Sequence, residues 1–584
     1  MSTPSSKLDE YKTHFNTISN DIFSKAPYQW QTELGASILH TKLDTDDDIH
    51  QLCVLPTGGG KSLLFTTLAV CLGNLTLAIT PLLSLGADQT IKHQRNTFRA
   101  RHILNSVHLD EISNDVDMKL AITEIERNIN TFSTIVYASP QSLITTEGGP
   151  SLFLSFILQN PTFVSMIVID EIHLLNKFGR SFRKEFQMLK TALFQKIQKG
   201  VPMLSLTATC TTSILTSYEN LIGVKCNHIH WPSPINMVNR KVRIKMLYTP
   251  LWYNSVQKNV KSYLIPNKLK RKKVIIYSNS RKRVIKLVEK LESYLDTEPA
   301  LCTDCDVLTL VGTQSRAQKA STINGFINGF VGVDCNPDIL CATSGVGNAG
   351  IDCSDIRAVY RVDFPPSISE MSQELGRAGR NDDATPDEYM YQVAIHIDSF
   401  LYIYKRINDK QTRTVDPIHR RYQIDELMDA AKLFASSNTC YYVAMEMRLG
   451  NPNGDRTAPP PCGVCPNCEK VKIFPRINKD GLKSALFDIF ISGSNICTPQ
   501  HVCECLRDYP DFGVNVLKAK AKSKIQVSAI KKIVFQLIAF RIIDLKYDED
   551  QSEIILGLAR RCHAKSTDLA MNSDTFWNEM QLLA

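Results

Sequence analysis

Short apolar runs alternate with helix-like stretches along most of the chain. Between residues 50 and 240 the strand-like runs are LTLAITP, STIVYASP, SMIVIDE and PMLSLTATC. A second series begins at VIIYSNS, continues through VLTLVGT, DILCATS and AVYRVDFP, and ends with EYMYQVA near residue 410. Strands that alternate with helices favour a parallel sheet with helices on both faces. The pattern therefore predicts two α/β lobes that meet near residue 240.

The pattern changes after residue 410. IDELMDAAKLFASS predicts a helix that leads to Cys440, and the proline-rich loop TAPPP precedes a group of closely spaced cysteines. Beyond residue 480 we expect helices and then a short hairpin at KYDEDQSEIIL.

Composition agrees with a globular protein of several domains. A chain of 584 residues corresponds to roughly three or four domains of about 150 residues. No stretch of about 20 apolar residues predicts a membrane span, and the opening MSTPSSKLDE lacks the features of a targeting segment. The net charge of +8 suits a polyanionic partner. The 17 cysteines are not spaced as a disulfide framework, which indicates reduced thiols in a nuclear or cytosolic compartment.

The string CVLPTGGGKSLLF, residues 53 to 65, predicts a strand, a glycine turn and a helix start. Such a turn directs its backbone N–H groups at one point, where the helix dipole favours a polyphosphate. Lys61 would reach the β- and γ-phosphates and Ser62 would bind Mg²⁺. Leu55 stands where the generic motif has glycine, so a glycine-rich turn without a ligand is the alternative. The residues expected to hold the nucleotide here are Thr57, Gly58, Gly59, Gly60, Lys61 and Ser62.

The string VIDEIH favours the phosphate site. It ends an apolar run that predicts a buried parallel strand with two carboxylates at its C-terminal end. Asp170 would hold the hydrated Mg²⁺, and Glu171 would orient or deprotonate the attacking water. The alternative is a pair of surface carboxylates at a strand end.

Several strings together resemble RecQ-type DNA helicases from about residue 25 to 470. They are LPTGGGKSLLF, TPLLSLGADQT at 80–90, YASPQ at 137–141, DEIH at 170–173, SLTAT at 205–209, IIYSNSR at 275–281, SGVGNAGID at 344–352, QELGRAGR at 373–380 and a cysteine quartet. The resemblance implies two RecA-like lobes that sandwich ATP and 3′-to-5′ translocation on single-stranded DNA.

The resemblance assigns roles to further residues. Gln31 matches the glutamine that reads adenine, although Tyr28 stands where the family has arginine. Ser205, Thr207 and Thr209 would couple the carboxylates to lobe movement. Gly350 and Asp352 fall in the motif that links ATP and DNA.

Arg377 and Arg380 resemble the arginines that stabilise charge on the γ-phosphate, a role worth about 10³ or more in rate. Gln373 would lie beside the same nucleotide. The alternative is a pair of arginines on a basic helix.

An aromatic-rich segment, NKFGRSFRKEF, follows the DEIH string. Phe178, Phe182 and Phe186 could stack on bases, while Arg180, Arg183 and Lys184 meet phosphates. The family has tryptophan, histidine and aspartate at Phe178, Arg180 and Ser181. A loop that packs on its own lobe is the alternative.

A cysteine quartet predicts a zinc site. Its residues are Cys440, which we place on a helix, and Cys462, Cys465 and Cys468 of PCGVCPNC. Thiolates at this spacing can converge on one structural Zn²⁺. Free thiols or disulfides are the alternative. Cys302 with Cys305, and Cys497 with Cys503 and Cys505, are interpreted as core or loop cysteines.

The segment after residue 480 suits a winged-helix domain. Lys518, Lys520, Lys522 and Lys524 could contact phosphates, and a solvated charged face explains them equally well. The predicted fold class is α/β, with two tandem RecA-like parallel-sheet lobes, a helical zinc-binding subdomain and a winged-helix domain. The predicted ranges are 1–24 for an N-terminal extension, 25–240 and 241–410 for the lobes, 411–475 for the zinc-binding subdomain, 476–565 for the winged helix and 566–584 for a tail.

The function expected from these features is that of an ATP-dependent 3′-to-5′ DNA helicase in recombination, repair or replication. Its cofactors would be ATP, Mg²⁺ and Zn²⁺, and its partner single-stranded, tailed or branched DNA, with no membrane. An RNA helicase and a catalytically weak DNA-binding scaffold are the alternatives. The expected location is the nucleus in a eukaryote and the cytoplasm otherwise. The run KLKRKK could be a nuclear address or a solvated turn.

Overall fold

The computed structural model of the protein forms two compact units. One consists of residues 1–237 with 446–457, and the other of residues 238–445 with 458–584. Apart from isolated positions, the structure describes residues 4–45, 49–55, 60–80, 103–174, 179–230, 242–248, 273–297, 305–329, 336–347, 351–379, 389–409, 417–450, 457–471, 497–508, 524–548 and 553–558, with single residues between 253 and 260 and between 486 and 489.

The first unit contains a parallel sheet of seven strands in the order β3-β4-β2-β5-β6-β1-β7. The strands are β1 (His50–Val54), β2 (Leu75–Ile79), β3 (Leu104–His108), β4 (Ser133–Ala138), β5 (Val164–Ile169), β6 (Met203–Thr207) and β7 (His228–His230). Strands β1, β2, β4, β5 and β6 are buried along their whole length, because helices cover both faces of the sheet.

Eight α-helices of this unit surround the sheet within the described ranges. They are α1 (Pro4–Phe23), α2 (Gln29–Asp44), α3 (Lys61–Leu72), α4 (Asp115–Asn128), α5 (Pro140–Leu143), α6 (Leu152–Gln159), α7 (Gly179–Leu189) and α8 (Thr212–Ile222). The N-terminal segment contributes α1, whose Phe15 is fully buried. A Cβ on Gly35 of α2 would lie 2.5 Å from the Phe15 ring, so the two helices approach closely at this glycine.

The second unit contains a parallel sheet of six strands in the order β10-β11-β9-β12-β13-β8. The strands are β8 (Arg243–Tyr248), β9 (Lys273–Ser278), β10 (Cys305–Leu310), β11 (Asn336–Thr343), β12 (Ile356–Arg361) and β13 (Met390–Ile395). The two parallel sheets confirm the predicted RecA-like lobes.

The helices of the second unit continue beyond its sheet. Those described are α9 (Arg281–Asp296), α10 (Arg316–Asn328), α11 (Ser344–Gly347), α12 (Ile368–Leu375), α13 (Ile397–Asn408), α14 (Pro417–Ala435), α15 (Tyr441–Leu449), α16 (Pro499–Asp508) and α17 (Lys524–Ala539). An antiparallel hairpin of β14 (Ile543–Asp548) and β15 (Glu553–Leu558) follows, as predicted. The winged-helix assignment stays a prediction. Lys518, Lys520 and Lys522 lie outside the described residues, and so does the side chain of Lys524.

Strands β3, β7 and β8 were missed by the sequence pattern. β3 and β7 are the edges of the first sheet, and β8 is an edge of the second. Strands β3 and β8 are only partly buried, and polar residues interrupt their apolar runs. In β3 only the first and last residues are fully buried.

An aromatic cluster attaches the helices of the second unit to its sheet. Phe364, which follows β12, makes edge-to-face contacts with Phe400, Phe434 and Phe535 at centroid distances of 5.4 to 5.7 Å. Phe434 also contacts Tyr441, next to Cys440, at 6.0 Å. These contacts tie α13, α14 and α17 to the end of β12 and bring the start of α15 beside them.

No helix of the described part of the chain is long and apolar enough to span a membrane.

A buried histidine joins β1 and β6. His50 Nε2 lies 3.0 Å from Ser205 Oγ and 3.1 Å from the Tyr218 hydroxyl, while Nδ1 lies 3.2 Å from the Lys225 carbonyl. Burial lowers the pKa of His50 to about 4.

This pKa predicts acid sensitivity of the first unit. In the unfolded chain a histidine is protonated below pH 6.5, whereas buried His50 stays neutral down to about pH 4. The contribution of neutral His50 to the free energy of unfolding is therefore fully present above pH 6.5. It falls by roughly 3 kcal/mol as the pH decreases towards 4. Thermal unfolding of the parent and of His50→Gln should show a flatter pH dependence for the variant in this window. Parallel curves would contradict the assignment.

Candidate nucleotide and zinc sites

The described residues of the predicted phosphate site lie where parallel strands end. β5, β6 and β1 are neighbours in the first sheet, so the residues that follow them lie at one edge. Lys61 begins α3 after β1, Asp170 follows β5, and Thr207 ends β6. Ligands of open α/β sheets bind outside the carboxyl ends of the strands.

Gly60 has a backbone conformation that favours glycine. Its φ is 87°, in the left-handed region, and it directly precedes α3. A Cβ at this position would lie 2.5 Å from Gln31 Nε2. Both observations explain why the chain turns on glycine before Lys61.

Gln31 is fully buried and fixes this turn. Its Nε2 donates to the Gly60 carbonyl at 2.9 Å, and its Oε1 accepts from the Tyr28 backbone N–H at 2.7 Å. The glutamine is thus placed beside the glycine turn, as a nucleotide-binding residue should be. Its role in reading adenine stays a prediction.

Lys61 and the DEIH carboxylates are brought together. Lys61 Nζ lies 3.3 Å from Glu171 Oε1. Glu171 has a φ of 55°, which is uncommon for a residue other than glycine. Its N–H donates to Asp170 Oδ1 at 2.8 Å. Backbone strain of this kind clusters at functional sites and agrees with a catalytic role for Glu171.

The two carboxylates differ in acidity because their surroundings differ. Burial, together with the neighbouring charge of Glu171, raises the pKa of Asp170. Burial also acts to raise the pKa of Glu171, but the Lys61 charge and the neighbouring His173 imidazole outweigh it and hold that pKa below its ordinary value. Glu171 is therefore ionised at neutral pH and can accept a proton or a hydrogen bond.

His173 is a site residue to which the sequence reasoning gave no role. Its Nδ1 lies 3.1 Å from Glu171 Oε2 and 3.0 Å from Thr207 Oγ1. The Thr207 hydroxyl donates to the Thr209 carbonyl at 2.8 Å. His173 thus links Glu171 to the end of β6. The histidine of the DEIH string is the sequence feature that could have indicated this site residue.

Ser205 does not take part in this chain of contacts. Its hydroxyl bonds to His50 and Tyr218, and its role in coupling the carboxylates to lobe movement stays a prediction. Because side chains alternate along a strand, Ser205 and Thr207 share a face of β6, but only Thr207 reaches the strand end.

Other predicted residues of this unit are described in part or not at all. Ser62 lies in the first turn of α3. Phe186 is buried in the core, so the alternative of packing on its own lobe holds for this residue. Residues 179–189 form a helix rather than a loop. Outside the described residues are Thr57, Gly58, Gly59 and Phe178 and the side chains of Arg180, Phe182 and Arg183.

In the second unit, Gln373 lies on α12 and Arg377 in the turn that follows it. Both are buried, and Arg377 Nη1 donates to the Ile351 carbonyl at 2.6 Å. The QELGRAGR string is thereby tied to the SGVGNAGID string. Gly350, Asp352 and Arg380 lie outside the described residues.

The cysteine quartet converges as predicted. The Sγ atoms of Cys440, Cys462, Cys465 and Cys468 all lie within 4.8 Å of one another. The Cys440–Cys465 and Cys462–Cys468 sulfur distances are both 3.9 Å. A tetrahedron with Zn–S bonds of about 2.3 Å has edges of about 3.8 Å. A disulfide needs about 2.05 Å, so the spacing fits a metal and not a disulfide.

Cys440 was expected on a helix, but it immediately precedes α15. The chain leaves α14 at Ala435 and turns before α15 begins, which lets the thiol approach the Cys462–Cys468 segment. Asn467 Nδ2 holds the turn by donating to the carbonyls of Ser436 and Thr439 at 2.9 and 2.7 Å. The N-terminus of a helix also favours a thiolate.

Replacing Cys465 with serine is expected to lose most of the bound zinc and to lower the unfolding temperature of the second unit. One of four thiolates is removed from the middle of the cluster, which should weaken zinc affinity by at least about tenfold. Metal analysis and thermal unfolding of the full chain check this. Cys505→Ser, on α16, is the control and should keep the parental zinc content. Equal zinc content in Cys465→Ser and the parent would defeat the assignment.

Two family models match the chain. The DEAD/DEAH box helicase family matches residues 32–216, and the helicase conserved C-terminal domain matches residues 255–382. The ATP-dependent DNA helicase RecQ of Haemophilus influenzae is 27% identical over 82% of this chain and 67% of its own length. RecQ of Pasteurella multocida is 27% identical over 74% and 59%. A putative ATP-dependent RNA helicase, R290 of Acanthamoeba polyphaga mimivirus, is 25% identical over 71% and 66%.

The chain thus spans about 59 to 67% of the lengths of these three relatives. The two matched domains fall on the two parallel-sheet units described above. These matches confirm the resemblance to RecQ-type DNA helicases that the motifs indicated, and the chain matches both helicase domain families.

Proposed function

We propose that the protein is an ATP-dependent DNA helicase that moves 3′ to 5′ along single-stranded DNA and unwinds duplexes. The observation that carries the proposal is the placement of Lys61, Asp170 and Glu171 beyond the ends of β1 and β5, which flank β6 in a lobe that matches helicases. Roles in recombination, repair or replication and a nuclear location belong to the same proposal. Within the KLKRKK run, only Lys273 is described, at the start of β9.

The first lobe would bind the phosphates and position the water. Lys61 would exchange its contact with Glu171 for the β- and γ-phosphates and so free the Glu171 carboxylate to orient or deprotonate the attacking water. His173 and Thr207 hold Glu171 in place. Ser62 and Asp170 supply a hydroxyl and a carboxylate, which are the oxygen ligands that Mg²⁺ prefers. When bound, Mg²⁺ neutralises charge on the phosphate oxygens.

The second lobe would supply Gln373, Arg377 and Arg380 to the same nucleotide, with Asp352 beside it. We further propose that the quartet holds a structural Zn²⁺, which supplies folding energy rather than catalysis. Phe178, Arg180, Phe182 and Arg183 are the proposed DNA contacts of the first lobe. Sequence alone supports them.

The test is ATP hydrolysis with and without single-stranded DNA, together with unwinding of duplexes tailed at one end. We expect DNA to stimulate hydrolysis and 3′-tailed duplex to be unwound in preference to 5′-tailed duplex. A preference for the 5′ tail would contradict the polarity. Turnover near zero with intact DNA binding would support the scaffold alternative, which the altered residues Tyr28, Arg180 and Ser181 motivate.

An RNA helicase is the second candidate, because one of the relatives carries that name. Competition between DNA and RNA strands of matched sequence for stimulation of ATP hydrolysis separates the two. Stronger stimulation by RNA would favour this candidate over the first.

A further inference from the structure

One buried arginine of the second lobe uses its whole hydrogen-bonding capacity. Arg361 ends β12 and its side chain is fully buried. Its guanidinium has five N–H groups. The structure provides an acceptor for each: the Asp363 carbonyl at 3.2 Å from Nε, the Ser344 hydroxyl and Glu374 Oε1 for Nη1, and Asn279 Oδ1 and the Phe364 carbonyl for Nη2.

Three of these acceptors belong to three different strings. Asn279 lies in IIYSNSR, Ser344 in SGVGNAGID and Glu374 in QELGRAGR. Asn279 and Arg361 are 82 positions apart, while Ser344 and Glu374 are 17 and 13 positions away. One side chain therefore bridges the segments that follow β9 and β11 and the helix α12.

The acceptors are themselves held. Glu374 Oε1 lies 2.5 Å from Arg361 Nη1, and its Oε2 accepts from the Tyr391 hydroxyl at 3.1 Å. Asn279 donates from Nδ2 to the Phe364 carbonyl at 2.8 Å, and its backbone N–H donates to Asp363 Oδ2 at 2.8 Å. Glu374 and Asn279, which both accept from the guanidinium, are thus each fixed by further contacts within the same lobe.

Stability alone does not explain such a network. Replacing a buried ion pair with apolar residues of similar volume is often neutral or stabilising, because desolvation offsets the attraction. What an arginine supplies here is geometry, since its planar fork fixes five directions at once, whereas lysine has three donors on a flexible stem.

We infer that Arg361 is a positioning residue that locks the three strings of the second lobe into one arrangement. Glu374 is its partner on α12, and the turn that follows α12 carries Arg377. Loss of the fork removes the contacts that join α12 to Asn279 and Ser344, while the hydrogen bond from Arg377 to the Ile351 carbonyl is kept. The expected effect of Arg361 on ATP hydrolysis rests on the proposed function. Its role in holding the three strings in one arrangement does not.

The test compares four variants of the full chain with the parent. Arg361→Met removes the fork, and Arg361→Lys keeps the charge. The double variant Arg361→Met with Glu374→Leu leaves no unpaired charge. Arg357→Met, at the other end of β12, is the matched control, where the guanidinium lies 4.6 Å from the Tyr389 ring centroid. The readouts are kcat and KM for DNA-stimulated ATP hydrolysis, thermal unfolding and amide hydrogen exchange.

We expect kcat to fall about 10- to 100-fold in Arg361→Met and Arg361→Lys, with KM for ATP within about threefold. The double variant should recover thermal stability but not kcat. Amide exchange should increase together in 279–281, 344–347 and 368–379 in all three variants of Arg361, and Arg357→Met should match the parent in each readout.

Two results would overturn the inference. One is recovery of kcat in Arg361→Lys or in the double variant, since charge or stability would then suffice. The other is increased exchange confined to α12. A parent without DNA-stimulated hydrolysis would contradict the proposed function, and joint loosening of the three strings would still support the shared arrangement.

Discussion

Replacing Lys61 with alanine is expected to lower kcat/KM for ATP hydrolysis by about 10² to 10³ and to abolish unwinding. Lys61 is the cation at the start of α3, and its ammonium lies 3.3 Å from Glu171 Oε1. Its removal leaves the β- and γ-phosphates without this positive charge. It also removes the charge that lowers the pKa of Glu171. Burial then raises that pKa, so a smaller fraction of the carboxylate is ionised and able to accept the water proton.

Lys42→Ala is a suitable control for that experiment. Lys42 lies in the last turn of α2 in the same unit and donates to the Gly200 carbonyl at 2.6 Å. It should retain parental hydrolysis. The measurement is steady-state ATP hydrolysis with saturating single-stranded DNA, accompanied by thermal unfolding to show that both variants fold. Hydrolysis at the parental rate in Lys61→Ala would refute the nucleotide site.

Replacing Arg377 with alanine is expected to lower kcat by about 10³ or more while KM for ATP changes little. A guanidinium that stabilises charge developing on the γ-phosphate acts mainly in the transition state, so its loss appears in kcat. In the structure Arg377 is buried and donates to the Ile351 carbonyl, which places the side chain between two of the helicase strings. Arg377→Lys should not rescue the rate, because lysine lacks the planar fork.

The control for Arg377 is Arg541→Ala. Arg541 is exposed and pairs with Asp425 at 3.3 Å, a surface contact of small energy. Single-turnover hydrolysis separates the chemical step from product release. If Arg377→Ala loses affinity for ATP with an unchanged chemical step, the residue binds the ground state and is not an arginine finger.

Local patterns predicted the central strands well. The buried strands β2, β4, β5 and β6 correspond to apolar runs, because a strand covered on both faces needs apolar residues at every position. Strands β3 and β8 were missed, since partly exposed polar residues interrupt their apolar runs, and β7 was missed because it has only three residues. The cysteine spacing predicted the quartet, while the turn that places Cys440 before α15 depends on contacts with Asn467 that lie far along the chain.

The candidate site divides in the same way. Lys61, Asp170 and Glu171 were predicted because each belongs to a short string whose chemistry can be read locally. The link from Glu171 through His173 to Thr207 was not, because it requires β5 and β6 to be neighbours. Ser205 shows the opposite case, in which a residue in a motif turned out to bond to His50 and Tyr218.

The sequence by itself determined the alternation of strands and helices, the glycine turn, the paired carboxylates and the metal-binding spacing, since each depends on residues within a few positions of one another. Only the tertiary structure decided which of these segments meet. The order β5-β6-β1 brings Lys61 and Glu171 together, and the order β11-β9-β12 lets Arg361 contact segments as far as 82 positions away. Such contacts depend on strand order. The residues around a hydrogen-bonding side chain do not indicate which distant residue will be its partner.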